Sequence, residues 1–216
     1  MKNILAIDTA TPACSIALLS DSKIRMESAI GKGIHSEAVF TFSRKLLQES
    51  GLSVSDLDAV LVPAGPGSYT GLRIASSSVK GLLFGLDTQV YAINTLAILA
   101  WVYRHSSQRI HAVLDARRSH LYHQVFSIED GKLCSKNDVC IRNLNRFEDV
   151  VNTQDIITGT GLDRLPSSLE NNLKPAVFTA QTMIEMFLED SASDVMQKFT
   201  SETYQPNYFT EAPVFD

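Results

Sequence analysis

The first hundred residues alternate between apolar runs and short polar breaks, and the period of that alternation changes along the way. NILAID (3–8) and CSIALLS (14–20) read as strands joined by a Thr/Pro-containing turn, with KIRMESAI (23–30) as a third after Asp-Ser. This predicts an antiparallel meander. From His35 to Glu49 the apolar residues Ala38, Val39, Phe42, Leu46 and Leu47 follow helical spacing, and Gly51 supplies a stop. DLDAVLVPA (56–64) predicts a strand, GPGSYTGLR (65–73) a tight turn, TGLRIASSSVKGLLFGL (70–86) a helix over about 70–85, and QVYAI (89–93) a further strand. The order βββαβαβ predicts a mixed sheet with helices packed on it.

From about residue 109 the pattern begins again. RIHAVLDA (109–116), HLYHQVFSI (120–128) and KLCSKNDVCI (132–141) form a second three-stranded run, with Asp-Gly as its second turn. A short helix near 144–151, a strand DIITG (155–159), an irregular stretch, a strand near 174–178 and a helix at 180–190 follow. This degenerate second copy predicts two similar lobes, 1–104 and 105–216, bridged by a helix at 95–104.

Composition narrows the class. With 216 residues, 44% of them hydrophobic, the chain has material for a substantial core. A net charge of −5 argues against unaided nucleic-acid binding, where a Lys/Arg-rich face supplies most of the affinity. The longest uncharged stretch, TQVYAINTLAILAWVY (88–103), falls short of the ~20 residues that span a bilayer, and MKNILAID lacks the apolar length of a secretory signal. Cys14, Cys134 and Cys140 give an odd count without a CxxC, fitting reduced packing residues in a cytoplasmic protein.

The candidate chemistry centres on Gly-Pro-Gly between strand and helix. Such a turn bares N–H groups at a helix start, where the macrodipole favours an anion. Gly65, Gly67 and Ser68 are therefore candidate phosphate contacts, with Asp8 at the end of the first strand as a candidate for orienting a magnesium-bound water. Two facing lobes that each open with strand–turn–strand hold nucleotide phosphates in this way in sugar kinases, actin and the Hsp70 ATPase. The alternatives are a turn that binds nothing and an Asp8 that caps its own turn.

AIDTATPACSIAL (6–18) together with GPGSYTGLRIASSSVKGL (65–82) resembles the TsaB (YeaZ) family of bacterial tRNA threonylcarbamoyladenosine biosynthesis proteins. LDARRSHLY (114–122) resembles that family's Asp-Ala-Arg strand ending, and YQPNYF (204–209) its C-terminal Pro-x-Tyr segment. The resemblance implies an α/β, actin-like ATPase (ASKHA, RNase H-like) fold of two lobes with mixed sheets, the second reduced. It implies a cytoplasmic, non-catalytic subunit that binds a catalytic TsaD-type paralogue. With a TsaE-type ATPase, the complex places threonylcarbamoyl on the adenosine following the tRNA anticodon. Alone the chain is expected to form a homodimer, to meet tRNA only through the complex and to bind no cofactor tightly, with ATP a candidate at the complex interface.

TsaD-type chains carry Asn-His-x-x-x-His just after the fifth strand, and two histidines four apart on a helix can share one metal ion. The corresponding segment here is Asn94-Thr95-Leu96-Ala97-Ile98-Leu99, and leucine binds no metal. Where TsaD-like chains have a glycine-rich turn in the second lobe, this one has Ala116-Arg117-Arg118-Ser119, which cannot easily wrap a phosphate. Gly159 and Gly161 in TGTGL read as a plain turn, the alternative being a relic of an adenosine-side loop. His120 and His123 point to opposite faces of a strand, His105 and His111 flank the bridge in solvent-like sequence, and His35 starts a helix as a structural residue. Cys14 lies in an apolar strand without a basic partner.

Gly71, Ala75 and Ser78 are small residues at helical spacing, which lets another helix approach closely. With the resemblance, this gives an expected partner interface of Tyr69, Gly71, Leu72, Ala75, Ser76, Ser78, Val79 and Leu82, joined by Val39 and Phe42 of the preceding helix. The alternative is a face packed on the chain's own sheet. The family's C-terminal motif continues Pro-x-Tyr-Leu-Arg, whereas this chain reads Pro206-Asn207-Tyr208-Phe209-Thr210. The rival function is a stand-alone ATP-dependent kinase or glycoprotease-like enzyme using the glycine turn and Asp8.

Overall fold

The three opening strands form as the alternation predicts, β1 (Ile4–Asp8), β2 (Ala13–Ser20) and β3 (Lys23–Ile30). They belong to a computed structural model that describes residues 1–31, 33–175, 178–189, 195–209 and 212–215. Asp21 and Ser22 turn β2 into β3 with positive φ at both residues, 48° and 61°, the combination that matches the twist of a tight hairpin. α1 (His35–Glu49) ends where Gly51 takes a φ of 66°. There Leu52 N–H donates to Leu47 O (2.9 Å) and Gly51 N–H to Gln48 O (3.1 Å), the paired bonds that close a helix C-terminus. β4 (Ala59–Gly65) then runs parallel to β1, α2 (Tyr69–Leu82) follows the glycine turn, and β5 (Gln89–Asn94) runs parallel to β4.

α3 (Thr95–Trp101) is shorter than the bridging helix expected over 95–104. The second run gives β6 (Ile110–Asp115) and β7 (His120–Glu129) as predicted, but 132–141 divides into β8 (Lys132–Ser135) and β9 (Cys140–Asn143). Both pair with β7. Between them the Asn137 side chain accepts Val125 N–H (2.7 Å), so an amide takes the place of a ladder carbonyl and the strand is interrupted. The helix expected near 144–151 is instead two 3₁₀ turns, Leu144–Arg146 and Glu148–Val150. Leu144, Phe147 and Val150 are three apart, which aligns them on the tighter helix. β10 (Ile156–Gly159) follows, then α4 (Ala180–Glu189), β11 (Met196–Phe199) and β12 (Val214–Phe215). Next to the strand expected near 174–178, a single parallel bridge joins Leu173 to Ile157 among the described residues; residues 176 and 177 of that strand, and the last residue of the helix expected to 190, lie outside the described residues.

The chain forms two units, each on its own mixed sheet. The first sheet has the order β11-β5-β4-β1-β2-β3 and the second β10-β6-β7-β9-β12, with β8 on β7. In both, the opening strand pairs antiparallel with the next and parallel with a later one: β1 with β2 and β4, β6 with β7 and β10. The second unit thus repeats the first with its first helix reduced to 3₁₀ turns. The division differs from the expected 1–104 and 105–216, because the second unit already begins at Leu96 and the chain returns to the first unit near its C-terminus. α4 packs on β1 and β2, β11 pairs with β5, and both belong to the first unit. That packing explains why β1 is buried along its whole length. One side faces the cluster of Leu5, Ile7, Ile16, Val39, Leu46 and Val79, and α4 covers the other. Among the described residues no helix is long and apolar enough to cross a membrane.

Gly71 offers a sharp test of this packing. A Cβ at residue 71 would stand 1.8 Å from the backbone oxygen of Thr9. Helix propensity alone predicts that Gly71→Ala stabilises by about 1 kcal/mol. We expect the opposite sign, a loss of about 2 kcal/mol or more, because the obstructing atom is backbone and cannot swing aside. Urea unfolding followed by circular dichroism decides between them, and a stabilised variant would refute the close approach.

Candidate functional site

The glycine turn closes against the turn between β1 and β2. Gly65 has a φ of 99° and its peptide bond to Pro66 is cis. Ser68 N–H donates to Ala10 O (2.9 Å), the Ser68 hydroxyl accepts Gly71 N–H (3.3 Å), and Ser68 O accepts Leu72 N–H (2.8 Å). Of the donors at the helix start, those of Ser68 and Gly71 are therefore already used, while Leu72 N–H makes the first bond of the helix itself. The Thr9 hydroxyl donates to Gly71 O (2.7 Å) from a fully buried position, and a Cβ on Gly67 would come within 2.9 Å of Ala10 O.

Asp8 lies beneath this seam with no solvent exposure. Its Oδ1 accepts Ala10 N–H (3.0 Å) and its Oδ2 the Ser15 hydroxyl (3.4 Å). Ser15 Oγ in turn accepts the N–H of Ala180, the first residue of α4 (2.9 Å). Burial pushes the Asp8 carboxyl well above the usual carboxylate range, against the lowering by its two donors. In this conformation it caps its own turn and presents no oxygen to a solvated magnesium ion. Cys14, behind it, is pushed up to about 12 by burial and then by the Asp8 charge, which leaves it a packing thiol. His35 Nε2 sits 3.1 Å from Thr11 O, a structural contact.

The expected partner face is corrected by its burial. Val39, Leu72, Ala75 and Val79 are wholly buried, Ser78 is 2% exposed and Gly71 is buried, all within the first unit. The small residues admit the chain's own β1–β2 turn and sheet rather than an external helix. Of the expected set, Tyr69 is exposed, while Ser76, Leu82 and Phe42 are half-buried. The surface of these two helices instead displays Phe40 (47% exposed) and, just past α2, Phe84 (88%). Between α1 and the chain after it runs a cavity of about 500 Å³ lined by Phe40, Ser43, Leu47, Leu52, Val54 and Leu82. The buried Ser43 hydroxyl in its wall has no hydrogen-bond partner among the described residues.

The C-terminal Pro-x-Tyr segment locks the strand that feeds the glycine turn, a role the sequence did not disclose. β4 slips register between Pro63 and Gly65, which turns two carbonyls away from β5. Pro63 O accepts the hydroxyl of fully buried Tyr204 (2.8 Å), and Ala64 O accepts Asn207 N–H (2.8 Å). The Tyr208 ring then packs on Tyr69, centroids 4.8 Å apart. Thr210, where the family carries arginine, lies outside the described residues.

Sequence reasoning also missed a polar row inside the second unit. His111, expected near solvent, is 1% exposed, as is His123. They sit diagonally on one face of the β6–β7 pair, rings stacked, with Phe147 edge-on to both. His111 Nε2 lies 3.1 Å from Asp155 Oδ2, and Asp155 also meets Arg109 (2.7 Å). His111 Nδ1 lies 3.0 Å from His123 Nε2, and His123 Nδ1 lies 3.8 Å from Cys140 Sγ. With Asp155 ionised, His111 carries its proton on Nε2 and accepts at Nδ1. His123 then donates from Nε2, so every bond points toward the carboxylate. Burial raises the Asp155 carboxyl, but Arg109, the Asn152 N–H and His111 outweigh it and leave the pKa lowered. Burial, then the charges of His111 and Arg142, pushes His123 down to about 3, and burial lowers His111 despite Asp155. Burial raises the Cys140 thiol, so the row lacks a thiolate.

The remaining candidates fall apart in space. Thr95 and Leu99, in the segment corresponding to the paralogue's histidine pair, are buried at 0% and 1% exposure, and the Thr95 hydroxyl has no hydrogen-bond partner among the described residues. Among the described residues no group of three or more His, Cys, Asp or Glu side chains is arranged to hold a metal. Gly159 passes so close to Val113 that a Cβ would stand 1.8 Å from its oxygen, and Gly161 begins a 3₁₀ turn; both shape packing. Arg117 and Arg118 are exposed and both have positive φ, 68° and 52°.

Comparison with known proteins agrees with this architecture. The family model described as TsaD: tRNA N6-adenosine threonylcarbamoyltransferase matches residues 30–176. The tRNA threonylcarbamoyladenosine biosynthesis protein TsaB of Escherichia coli (strain K12) is 34% identical over 122 residues, 55% of this chain and 52% of that protein. The chain thus spans about half the length of this curated relative, and 53% and 57% of the TsaB proteins of Haemophilus influenzae and Bacillus subtilis. The solved structure of YeaZ from Pseudomonas aeruginosa superposes with a TM-score of 0.78 at 27% identity, covering 96% of this chain and all of that one.

The buried histidines set a pH dependence. Both are held neutral in the folded chain, so below about pH 6.5 the unfolded chain takes up protons that the folded chain refuses. Stability should fall by up to about 1.4 kcal/mol per pH unit through His123 as the pH drops from 6.5 toward about 3, and His111, lowered by burial, adds to the loss in the same sense. Asp8, raised by burial, titrates in the opposite sense and offsets part of this slope. His123→Gln keeps a donor toward His111 and removes one titration, so its unfolding midpoint should fall less steeply with acid than that of the unchanged chain. Equal slopes over pH 6.5–4 would show that His123 does not stay neutral.

Proposed function

The chain belongs to the TsaD family of tRNA N6-adenosine threonylcarbamoyltransferase domains and stands with its TsaB (YeaZ) members; from that premise we propose that it is a non-catalytic subunit of the tRNA threonylcarbamoyladenosine modification complex. In this reading it binds and supports a catalytic TsaD-type paralogue, and a TsaE-type ATPase completes the set. The carrying observation is at Thr95 and Leu99. The segment that would hold a metal through two histidines is filled by a buried hydroxyl and a buried isobutyl group, which together cannot ligate it. Buried Asp8 and the consumed donors of the glycine turn support the same reading, since neither is placed to grip a nucleotide without help. They also weigh against a stand-alone kinase, and the raised Cys14 and Cys140 thiols weigh against a peptidase nucleophile.

The partner surface in this reading moves outward from the small-residue stripe. Phe40, Tyr69 and Phe84 are the large apolar side chains that α1, α2 and the residues just past α2 leave exposed, and the cavity beside Phe40 and Leu82 gives a receiving groove. A paralogue built on the same fold brings helices of its own to such a face; without it, a second copy of this chain is the next candidate. ATP belongs at the interface of the complex rather than to this chain alone, and tRNA engages the assembled complex.

Co-purification with the TsaD-type protein of the same organism tests the reading, and failure to bind it would overturn it. Phe40→Asp and Phe84→Asp should each leave the circular dichroism spectrum unchanged and weaken the complex about tenfold to a hundredfold, as truncating an interface anchor does. Ala75→Arg, by contrast, should unfold or aggregate, because it puts a charge into a closed core. Calorimetry with ATP should give no micromolar binding to the chain alone.

A further inference from the structure

The tip of the β6–β7 hairpin is an exposed segment with an unusual backbone that the reading above leaves unused. Arg117 and Arg118 are consecutive residues with φ of 68° and 52°, a region that L side chains rarely adopt and that glycine or asparagine enters most easily. Local bonds hold them there. Asp115 Oδ1 accepts Arg117 N–H (2.7 Å), Arg117 O accepts His120 N–H (3.2 Å), and Ala116 N–H donates to His120 O (3.2 Å). Those bonds involve the backbone and leave both guanidiniums outside.

The surroundings leave the two cations unneutralised. Asp115, the acidic residue nearest in sequence, is paired with Arg164. Leu144 N–H donates to Ser119 O (2.9 Å), which brings the Leu144–Arg146 turn to the same end of the sheet, and Arg146 is itself paired with Asp149 (2.7 Å). Neither Arg117 nor Arg118 forms an ion pair among the described residues, although acidic residues outnumber basic ones in the chain. A strained backbone that displays two free, always-charged planar forks suits an anionic ligand with oxygens repeated along a line.

We propose that the hairpin tip Ala116–Ser119 docks the phosphate backbone of RNA, Arg117 and Arg118 each contacting one of two successive phosphates. The proposal rests on the tRNA-modification reading, and names the part of this chain that touches the RNA. Guanidinium forks pair with phosphate oxygens through two parallel N–H···O bonds, and such contacts position a nucleic acid without reading its sequence. Two contacts are too few for tight binding by a chain of net charge −5. The tip therefore adds to a binding surface completed by the assembled complex and gives the chain alone a weak, salt-sensitive affinity.

The double substitution Arg117→Asn, Arg118→Gly tests this cleanly, because Asn-Gly suits the observed backbone better than Arg-Arg while removing both charges. The probe is an unmodified tRNA transcript, titrated with the 216-residue chain by fluorescence anisotropy between about 50 and 200 mM salt. The double variant should unfold at the same temperature or higher, bind about tenfold more weakly at 50 mM salt, and lose about 1.4–1.8 from the slope of log affinity against log salt, 0.7–0.9 for each phosphate contact. Arg117→Lys, Arg118→Lys should keep that slope. An unchanged affinity and slope in the Asn-Gly variant would overturn the proposal, as would no measurable binding by the unchanged chain at 50 mM salt. Binding to polyglutamate but not to the transcript would assign the tip to an acidic protein instead and equally overturn it. Co-purification with the TsaD-type protein, measured on the same variant, separates the two levels. If the partner is retained and RNA binding is unchanged, this proposal alone fails; if the unchanged chain binds no partner, the reading beneath it fails.

Discussion

A backbone oxygen stands where the side chain of residue 71 would be. The approach of Thr9 to Gly71 decides how the end of β1 meets the start of α2, and much of the first unit follows from it. Because the two backbones touch, Thr9 can donate to Gly71 O and Ser68 N–H can reach Ala10 O, which fixes the β1–β2 turn against the helix. That turn buries Asp8, whose oxygens are then met by Ala10 N–H and Ser15, and Ser15 accepts the first N–H of α4. A chain of contacts only a few side chains long thus connects both faces of the sheet. Any side chain at residue 71 strikes the first link, so the glycine is dictated by contact rather than by a need for positive φ.

The two units handle buried polarity differently. In the first, the buried carboxyl is isolated from basic groups, so burial dominates and its pKa rises. In the second, Asp155 is placed at the edge of the core beside Arg109, and its charge is kept by that partner and by His111. The histidines behind it extend the row inward, each satisfied by the next, so no buried nitrogen between Asp155 and His123 is left unmet. A directed row of this kind tolerates one protonation pattern. It specifies how β6, β7 and β10 meet, at the expense of stability in acid.

Where the sequence was legible, one signal dominated. α1 was readable to the residue because an amphipathic stripe and a glycine stop agreed, and the meander because turn residues separated clean alternation. The second run was harder for physical reasons. Asn137 interrupts a strand with its side chain, which periodicity cannot show, and Leu144, Phe147 and Val150 fit a 3₁₀ turn as well as a helix. α4 has the apolar stripe of a packed helix, but nothing in that stripe says that it packs on β1 and β2, some 165 residues earlier. The small residues of α2 were visible and their partner was misjudged. A stripe of Gly, Ala and Ser states that something approaches closely, not whether it belongs to the same chain. His111 shows the converse, since it adjoins a polar stretch in sequence while its strand carries it into the core.

The glycine turn and Asp8 occupy places that serve phosphate binding in other two-lobed proteins, and here both serve packing instead. The Ser68 and Gly71 N–H groups at the start of α2 are satisfied within the chain, and the carboxyl that would face a metal-bound water is closed off. These facts are linked, because the same contact of turn on turn uses the donors and excludes solvent from Asp8. Opening the site to a nucleotide would require separating Thr9 from Gly71, which would disconnect α2 from β1 and, through Ser15, loosen α4. The first unit thus uses its glycine turn to hold its own strand and helix together. That closure leaves the apolar side chains of α1 and around α2 outside, and the second unit carries the charged hairpin tip on its own surface.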